Sequence, residues 1–241
     1  MLELVTLRCL RDNYAYLIHG DGQTALIDAP ESGPVLEALA ARGWRLDHIL
    51  LTHHHDDHIQ AVSELVAASG AQVWGHGADA SRLPPLDHPL RPGETASVCG
   101  EPAQIIDASG HTIGHIAIHF PQSALAFTGD SLMAMGCGRL FEGDAPMMWA
   151  SLGRLNALAP ETLICSGHDY CQSNGAFALS VDPDNAALRD RLGALDRQPC
   201  APAPLSLERA TNPFLRAPAL RQAGESDLDA FTRLRRAKDN F

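Results

Sequence analysis

The sequence contains no Cys-x-x-Cys pair, although it has six cysteines in 241 residues. The cysteines are scattered along the chain, at positions Cys9, Cys99, Cys137, Cys165, Cys171 and Cys200. This spacing argues against a cysteine-rich zinc site and favours reduced thiols over a disulfide framework. Because reduced thiols are typical of cytoplasmic proteins, the cytoplasm is the expected location.

Long apolar runs and basic residues are also scarce. No apolar run is long enough to span a bilayer, and the opening residues, MLELVTLRCLRDNYAY, do not have the charged start and long apolar stretch of a signal peptide. The sequence has only 18 Lys and Arg residues but 29 Asp and Glu residues, which gives a net charge of −11. Nucleic acids and anionic membranes require a basic footprint on their partner. We therefore expect neither among the partners, and we expect a monomer.

Strand-like and helix-like segments alternate over the first 170 residues, and the hydrophobic fraction of 45% is ample for a core. Periodicity and turn residues predict strands at 14–19, 23–28, 48–52, 72–74, 104–107, 116–120, 124–128 and 162–166, and helices at 34–41, 59–68 and 148–158. Two groups of strands with helices outside them predict an α/β fold of two packed sheets covered by helices. Beyond about residue 170 the strand-like runs vanish, and helical segments at 185–192, 206–210 and 226–238 predict a small helical appendage.

The stretch THHHDDHIQA at residues 52–61 places four histidines and two aspartates directly after an apolar strand-like run. Neutral imidazole and carboxylate are ligands that zinc and iron prefer. The same residue types recur after three later strands, at His111 in SGHTIGH, Asp130 in GDS and His168 in SGHDY. Glycine-containing turns at these strand ends would present the side chains from a rigid support. The pattern predicts a metal site.

The motif Thr-His-x-His-x-Asp-His at residues 52–58, followed in order by His111, Asp130 and His168, resembles the metallo-β-lactamase superfamily. The resemblance implies a four-layer αββα sandwich with a dinuclear metal site at one edge of the strands. It implies one metal held by His53, His55 and His111, a second held by Asp57, His58 and His168, and Asp130 as the bridge between them. Such a set leaves room for a bridging water, and an open coordination position marks a catalytic rather than a structural site.

Four further stretches resemble glyoxalase II, the hydroxyacylglutathione hydrolase family: GCGRLFEGD after Asp130, SGHDY around His168, NPFLR at 212–216 and RLRRAKDNF at the C-terminus. The resemblance implies a catalytic domain over 1–170 and a helical glutathione-binding domain over 171–241. It implies that Arg235 and Lys238 bind the glycyl carboxylate of glutathione and that Tyr170 offers a hydroxyl to the same moiety. The alternative for the two cations is that they only stabilise the C-terminal end of their helix.

Two residues depart from the usual glyoxalase II pattern. Arg139 stands where the family commonly has Lys, which keeps a cation but changes its geometry. Phe141 stands where the family commonly has Tyr, so it cannot donate a hydroxyl hydrogen bond. Either Phe141 replaces a tyrosine that contacts glutathione, or it packs in an apolar pocket beneath the loop after Asp130.

The activity implied by the resemblance is hydrolysis of S-D-lactoylglutathione, and of related 2-hydroxyacyl thioesters, to glutathione and a hydroxy acid such as D-lactate. It would use two divalent metal ions per chain, zinc first, with iron or manganese as alternatives. These ions lower the pKa of a bridging water and supply hydroxide as the nucleophile. Asp57 and Asp130 take part as the ligands that hold it. The expected partner is therefore a small-molecule glutathione thioester.

Three other functions are compatible with parts of the pattern. A glutathione persulfide dioxygenase of the same superfamily would bind a single iron and would not carry this long helical tail. A superfamily nuclease would carry basic contacts, which the acidic balance disfavours. A non-catalytic metal-binding module would hold metal without thioester turnover.

Several residues near the motif are not predicted to be ligands. His54 and Asp56 match no ligand position and are expected in the loop or in contact with the ligands. His115 is expected to pack or hydrogen-bond beside the site. Asp28 could orient a ligand histidine or cap a turn, since ligand histidines usually donate their other N–H to an acceptor. Cys137 lies near the site, but no motif makes it a nucleophile.

Overall fold

Two six-stranded β-sheets form the centre of the fold in the computed structural model, which describes residues 1–195 and 200–241. The first sheet contains, in spatial order, β1 (Glu3–Cys9), β2 (Asn13–Gly20), β3 (Gln23–Ile27), β4 (His48–Leu50), β5 (Gln72–His76) and β6 (His88–Leu90). Strands β1 to β3 are antiparallel, and β3 to β6 are parallel. Asp21 and Gly22, which join β2 to β3, both adopt positive φ, as a tight hairpin turn requires.

The second sheet carries the later strands. Its spatial order is β14 (Ala203–Pro204), β13 (Leu163–Ser166), β10 (Leu125–Gly129), β9 (Ile116–Phe120), β8 (Glu101–Asp107) and β7 (Thr95–Val98). Strands β10 and β13 run parallel, so their carboxyl ends meet at the same edge. A separate small hairpin, β11 (Leu132–Met133) and β12 (Gly136–Cys137), follows directly from β10.

Three apolar layers hold the sheets and helices together. Residues from both sheets, including Tyr16, Leu50 and Phe127, form the core between them. Helices α1 (Ser32–Arg42) and α3 (Val62–Ser69) cover the outer face of the first sheet, and α4 (Ala145–Asn156) and α8 (Asp227–Asp239) cover that of the second. The predicted four-layer αββα sandwich is therefore confirmed. No helix among the described residues is long and apolar enough to cross a membrane.

The predicted helix at 59–68 is wrong at its start, because the structure divides this region into α2 (Asp56–Ile59) and α3. The carbonyl of His58 accepts a hydrogen bond from the amide of Ala29, at 2.7 Å, instead of continuing a helix. The break lets His58 face the sheet edge while α3 covers the sheet.

The chain after residue 170 is mostly helical, with α5 (Cys171–Val181), α6 (Ala186–Ala194), α7 (Leu205–Thr211) and α8. It nevertheless contributes the short strand β14, which pairs with β13 and which the sequence analysis did not predict. Phe214 and Phe231 share one apolar cluster with Ile164 of the second sheet. Cys171 and Cys200 lie with their Cα atoms 6.2 Å apart, within the span of a disulfide, so the expectation of reduced thiols stays a prediction for this pair.

Candidate metal centre

The segment after β4 is shaped by a buried aspartate. Asp28 accepts hydrogen bonds from the amide and the hydroxyl of Thr52, both at 2.8 Å, and so anchors the start of the ligand-rich segment. Its Oδ2 atom also lies 2.9 Å from Nδ1 of His58. Of the two roles considered for Asp28, orientation of a ligand histidine is therefore observed.

Three of the predicted ligands form one cluster. Nδ1 of His55 lies 3.1 Å from Nε2 of His53 and 3.0 Å from Nε2 of His111. Nδ1 of His53 donates to the Thr52 hydroxyl and Nδ1 of His111 to the Arg139 carbonyl, so the Nε2 atoms of both rings are acceptors. Nδ1 of His55 can donate to only one of them, whereas a cation among the three nitrogens would satisfy all of them. The arrangement matches the first predicted metal position.

A second cluster lies beside the first. Nε2 of His58 and Nε2 of His168 are 3.2 Å apart, and Oδ2 of Asp57 is 3.3 Å from Nε2 of His168. The Asp57 carboxylate also accepts a hydrogen bond of 2.9 Å from the amide group of Asn13. The three donors of the second predicted position are thus brought together.

Asp130 lies between the two clusters. Its Oδ2 atom is 3.4 Å from Nε2 of both His111 and His168, and its Oδ1 atom is 3.5 Å from Nε2 of His58. A register shift after Phe127 and the positive φ of Gly129 turn the chain at this point. A Cβ atom at position 129 would meet the Thr52 hydroxyl at 2.6 Å, so the close approach requires glycine.

Most ligand rings are fixed by a hydrogen bond on their other nitrogen. Nδ1 of His111 donates to the carbonyl of Arg139 at 2.8 Å, and Nδ1 of His168 lies 3.1 Å from a carboxylate oxygen of Asp12. His58 uses Asp28 in the same way. These contacts set the tautomer and direct Nε2 to the centre of the site. Asp12 and Asn13 were not predicted individually, although they belong to the stretch RDNYAY at the start of the chain.

The protonation behaviour of the donors fits divalent cations. Burial and the neighbouring imidazoles hold the pKa of His53 well below its usual value, and burial likewise lowers the pKa of His55 and His111. Burial opposes ionisation of Asp130, yet the surrounding imidazoles hold its pKa far below the usual value. Neutral imidazoles and ionised carboxylates are the forms that bind metal.

Two further features of the site favour a bound cation. Burial opposes protonation of His168, but Asp130 and Asp57 raise its pKa to about 11, so a positive charge is favoured at this point. Oδ1 of Asp130 is buried without a hydrogen-bond partner among the described residues. A cation satisfies both, because it supplies the positive charge and coordinates the unpartnered oxygen.

The neighbouring polar residues lie outside the donor clusters, as predicted. Nδ1 of His54 is 3.1 Å from a carboxylate oxygen of Asp79, and its ring meets that of His55 edge to face at a centroid distance of 5.2 Å. His115 stacks on His53 and accepts a hydrogen bond of 3.1 Å from the amide of Asp130. Cys137 is buried, and burial raises the pKa of its thiol, which argues against a nucleophilic role.

A cavity of about 680 Å³ opens onto the predicted metal ligands. All five residues predicted to contact substrate line it: Arg139, Phe141, Tyr170, Arg235 and Lys238. The Tyr170 ring stacks on His168 at a centroid distance of 4.7 Å. Phe141 is 63% exposed, and its ring meets the edges of His55 and His111. The alternative that Phe141 packs in a buried apolar pocket is therefore wrong.

The two cations of α8 differ in their surroundings. Arg235 is only 5% exposed and donates to the carbonyl of Cys137 at 2.7 Å. Lys238 donates to the carbonyl of Ser173 at 2.9 Å and lies near the rings of Phe177 and Phe241. Burial, and then the charge of Arg235, lower the pKa of Lys238.

Comparison with known proteins agrees with this geometry. The family described as the metallo-beta-lactamase superfamily matches residues 10–168, and the hydroxyacylglutathione hydrolase C-terminus matches residues 169–241. The hydroxyacylglutathione hydrolase of Fuscovulum blasticum is 59% identical over 253 aligned positions, and that of Rhodobacter capsulatus is 51% identical over 254. In both cases the alignment covers 100% of this chain and 99% of the relative.

Solved structures share the fold over most of the chain. ETHE1 from Myxococcus xanthus is 26% identical, with a TM-score of 0.72, and the match covers 98% of this chain and 90% of that one. The structure of TTHA1623 in a di-iron-bound form is 30% identical, with a TM-score of 0.67, and the match covers 88% of this chain and 100% of that one. With the full-length relatives and the two matched regions, these similarities establish that the chain belongs to the hydroxyacylglutathione hydrolase family of the metallo-β-lactamase superfamily.

Proposed function

We propose that this chain hydrolyses S-(2-hydroxyacyl)glutathione thioesters, with S-D-lactoylglutathione as the principal substrate, to glutathione and a 2-hydroxy acid. The observation that carries the proposal is one cavity lined both by metal-type donors, including Asp57 and His168, and by the cations Arg139, Arg235 and Lys238. A thioester whose thiol portion ends in a carboxylate needs both features within reach of one another. In a chain with a net charge of −11, a cluster of three cations beside the donors also favours an anionic ligand.

The site would hold two divalent cations. We assign His53, His55 and His111 to one, Asp57, His58 and His168 to the other, and Asp130 to both, with zinc as the first candidate and iron or manganese as alternatives. When bound, such a pair supplies an activated water and polarises a carbonyl oxygen. The di-iron-bound form of the related solved structure supports a site for two ions.

The chain's own residues would place the thioester and hold the donors still. Asp28, Asp12 and the Arg139 carbonyl fix the rings of His58, His168 and His111, so the donors keep one arrangement through the reaction. Lys238 uses one N–H for the Ser173 carbonyl and has others left for a carboxylate. Asp57 and Asp130 act as ligands rather than as general acids, because a thiolate is a fair leaving group and their pKa values are held low by the imidazoles.

The rival functions are less well supported. A mononuclear persulfide dioxygenase would need only part of the donor set, whereas three overlapping donor groups are present around Asp130. A non-catalytic metal-binding module would not need a substrate-sized cavity that joins the donors to three cations. We also expect a cytoplasmic monomer that binds neither nucleic acid nor membrane.

The experiment combines thioester hydrolysis with metal analysis on one sample. We expect turnover of S-D-lactoylglutathione with release of free thiol, and about two divalent metal ions per chain. One iron per chain together with oxygen uptake on glutathione persulfide would favour the dioxygenase. Full metal occupancy without thioester turnover would favour the binding module.

A further inference from the structure

The two cavity arginines share one carboxylate, which does not itself line the cavity. Oδ1 of Asp239 accepts a hydrogen bond of 2.9 Å from Nη2 of Arg235 and lies 3.4 Å from Nε of Arg139. Arg235 comes from α8, whereas Arg139 comes from the loop after β12. Asp239 therefore links two separate elements behind the cationic end of the cavity.

Helix stability does not explain this aspartate. Asp239 is the last residue of α8, where the helix dipole disfavours negative charge. It also follows Arg235 by four residues, and ion pairs with the cation on the N-terminal side are the less favourable order in a helix. The second contact, with the exposed side chain of Arg139, contributes little to stability. The role of Asp239 is therefore to contact the two arginines, and not to stabilise the helix.

Arg235 depends on a partner because it is buried. Its side chain is 6% exposed, and a guanidinium taken out of water is costly unless it is paired and hydrogen-bonded. Nη1 is held by the Cys137 carbonyl and Nη2 by Asp239, while Nε is buried without a partner among the described residues. With Asp239 removed, the guanidinium would keep the Cys137 carbonyl, a weak contact with that thiol and the Phe214 ring at 5.1 Å, but no anionic partner among the described residues.

Arg139 depends on a partner for the opposite reason. Its side chain is 58% exposed and long, so without an anchor it would sample many rotamers. Its backbone carbonyl already orients the metal-ligand ring of His111. Asp239, 3.4 Å from Nε of Arg139, offers that side chain an anionic partner beside Arg235, which keeps the guanidinium at the cationic end of the cavity.

We propose that Asp239 is a positioning residue for recognition of the substrate's carboxylate: it holds the guanidinium groups of Arg235 and Arg139 together at one end of the cavity. This inference rests on the proposed hydrolase function. It predicts that Asp239 affects binding of the thiol portion and leaves the chemical step alone, since it contacts neither the metal donors nor the cavity.

The test compares two substrates in the metal-loaded full chain. For Asp239→Asn we expect KM for S-D-lactoylglutathione to rise about ten-fold, the size expected when a charge-assisted hydrogen bond to the carboxylate is weakened, with kcat within about two-fold. For the glycyl ethyl ester of the same substrate, which has no glycyl carboxylate, KM should change by less than about two-fold. Asp239→Glu keeps the charge and should raise KM less than Asp239→Asn.

Asp190→Asn is the matched control, because Asp190 is an exposed carboxylate on α6 away from the cavity, and its kinetics should equal those of the wild type. If a thermal melt shows that Asp239→Asn is not folded, Asp239→Glu is measured in its place with the same two substrates. An unchanged or lower KM for S-D-lactoylglutathione overturns the inference, and so does an equal effect on the ester. A wild-type chain that does not turn over S-D-lactoylglutathione refutes the proposed function instead.

Discussion

His54 and His55 are neighbours in the chain, but only His55 lies with the metal donors. His55 directs Nδ1 to within about 3 Å of two other ligand nitrogens, whereas Nδ1 of His54 faces Asp79. The spacing of the family motif predicted this difference. A count of histidines could not have predicted it, because three consecutive histidines offer equivalent chemistry until the backbone fixes which rings converge.

The first prediction concerns Asp130. Asp130→Ala should lose metal and activity together, because it removes a carboxylate that lies within 3.5 Å of three ligand histidines. Metal content measured on the purified variant, beside thioester turnover, checks this result. His54→Ala is the control and should be mild. Loss of metal in His54→Ala with retention in His55→Ala would show that the ligand register is wrong.

The second prediction concerns Phe141. Phe141→Tyr should lower KM for S-D-lactoylglutathione roughly two- to ten-fold if the new hydroxyl gains one neutral hydrogen bond of about 0.5–1.5 kcal/mol. The value of kcat should stay nearly constant, because uniform binding does not assist the chemical step. Since Phe141 is 63% exposed, the hydroxyl is not buried and Tm should not change. A higher KM with a lower Tm would reject the contact.

At the scale of elements, α8 combines packing and binding on adjoining faces. Phe231 and Leu234 are fully buried in the cluster beneath the second sheet, and a capping box between Ser226 and Asp229 starts the helix. The predicted helix at 226–238 followed from the spacing of its apolar residues. The Asp239 contacts did not follow, because Arg139 lies a hundred residues earlier and meets α8 only through the tertiary fold.

The third prediction uses α8 to separate substrate binding from helix capping. Lys238→Ala should raise KM for S-D-lactoylglutathione about ten- to a hundred-fold, the loss expected for a charge-assisted hydrogen bond of roughly 1.5–3 kcal/mol, with kcat less affected. Arg236 is an exposed cation in the same last turn and serves as the control, since it has the same dipole interaction and does not line the cavity. Equal KM values in Lys238→Ala and Arg236→Ala would show that Lys238 only stabilises the C-terminal end of the helix.

Short elements were the hardest to predict. The hairpin of β11 and β12 consists of two two-residue strands, and β14 contains only Ala203 and Pro204. Segments of this length carry no periodic signal, and they form because neighbouring chain supports them. The amide of Met135 in the hairpin turn, for example, donates to the buried carboxylate of Glu208 at 2.9 Å. Length alone did not decide the outcome: β9 was predicted at its observed bounds, whereas the seven-residue strand β1 and the eleven-residue helix α5 were not predicted.

At the scale of the whole molecule, alternating strands and helices predicted the layers but could not fix the strand order. The order of the second sheet, with β14 beside β13 and β10 beside β9, depends on pairings between distant segments. The same long-range placement brings Cys171, at the start of α5, to Cys200, which precedes β14. Sequence spacing alone could not show that pairing, because 29 residues separate the two cysteines.

The last prediction is that Cys171 and Cys200 form a disulfide, and thiol titration in denaturant tests it. Without reductant the chain should show four reactive thiols, those of Cys9, Cys99, Cys137 and Cys165, and it should show six after reduction. Closing a loop of 29 residues contributes about 3–4 kcal/mol in the loop-entropy account. Reduction should therefore lower Tm by roughly 7–14 °C in a chain of this size. The variant Cys200→Ser should give five thiols under both conditions, with the Tm of the reduced protein. Six thiols in unreduced wild-type chain, with no change in Tm on reduction, would restore the expectation of fully reduced cysteines.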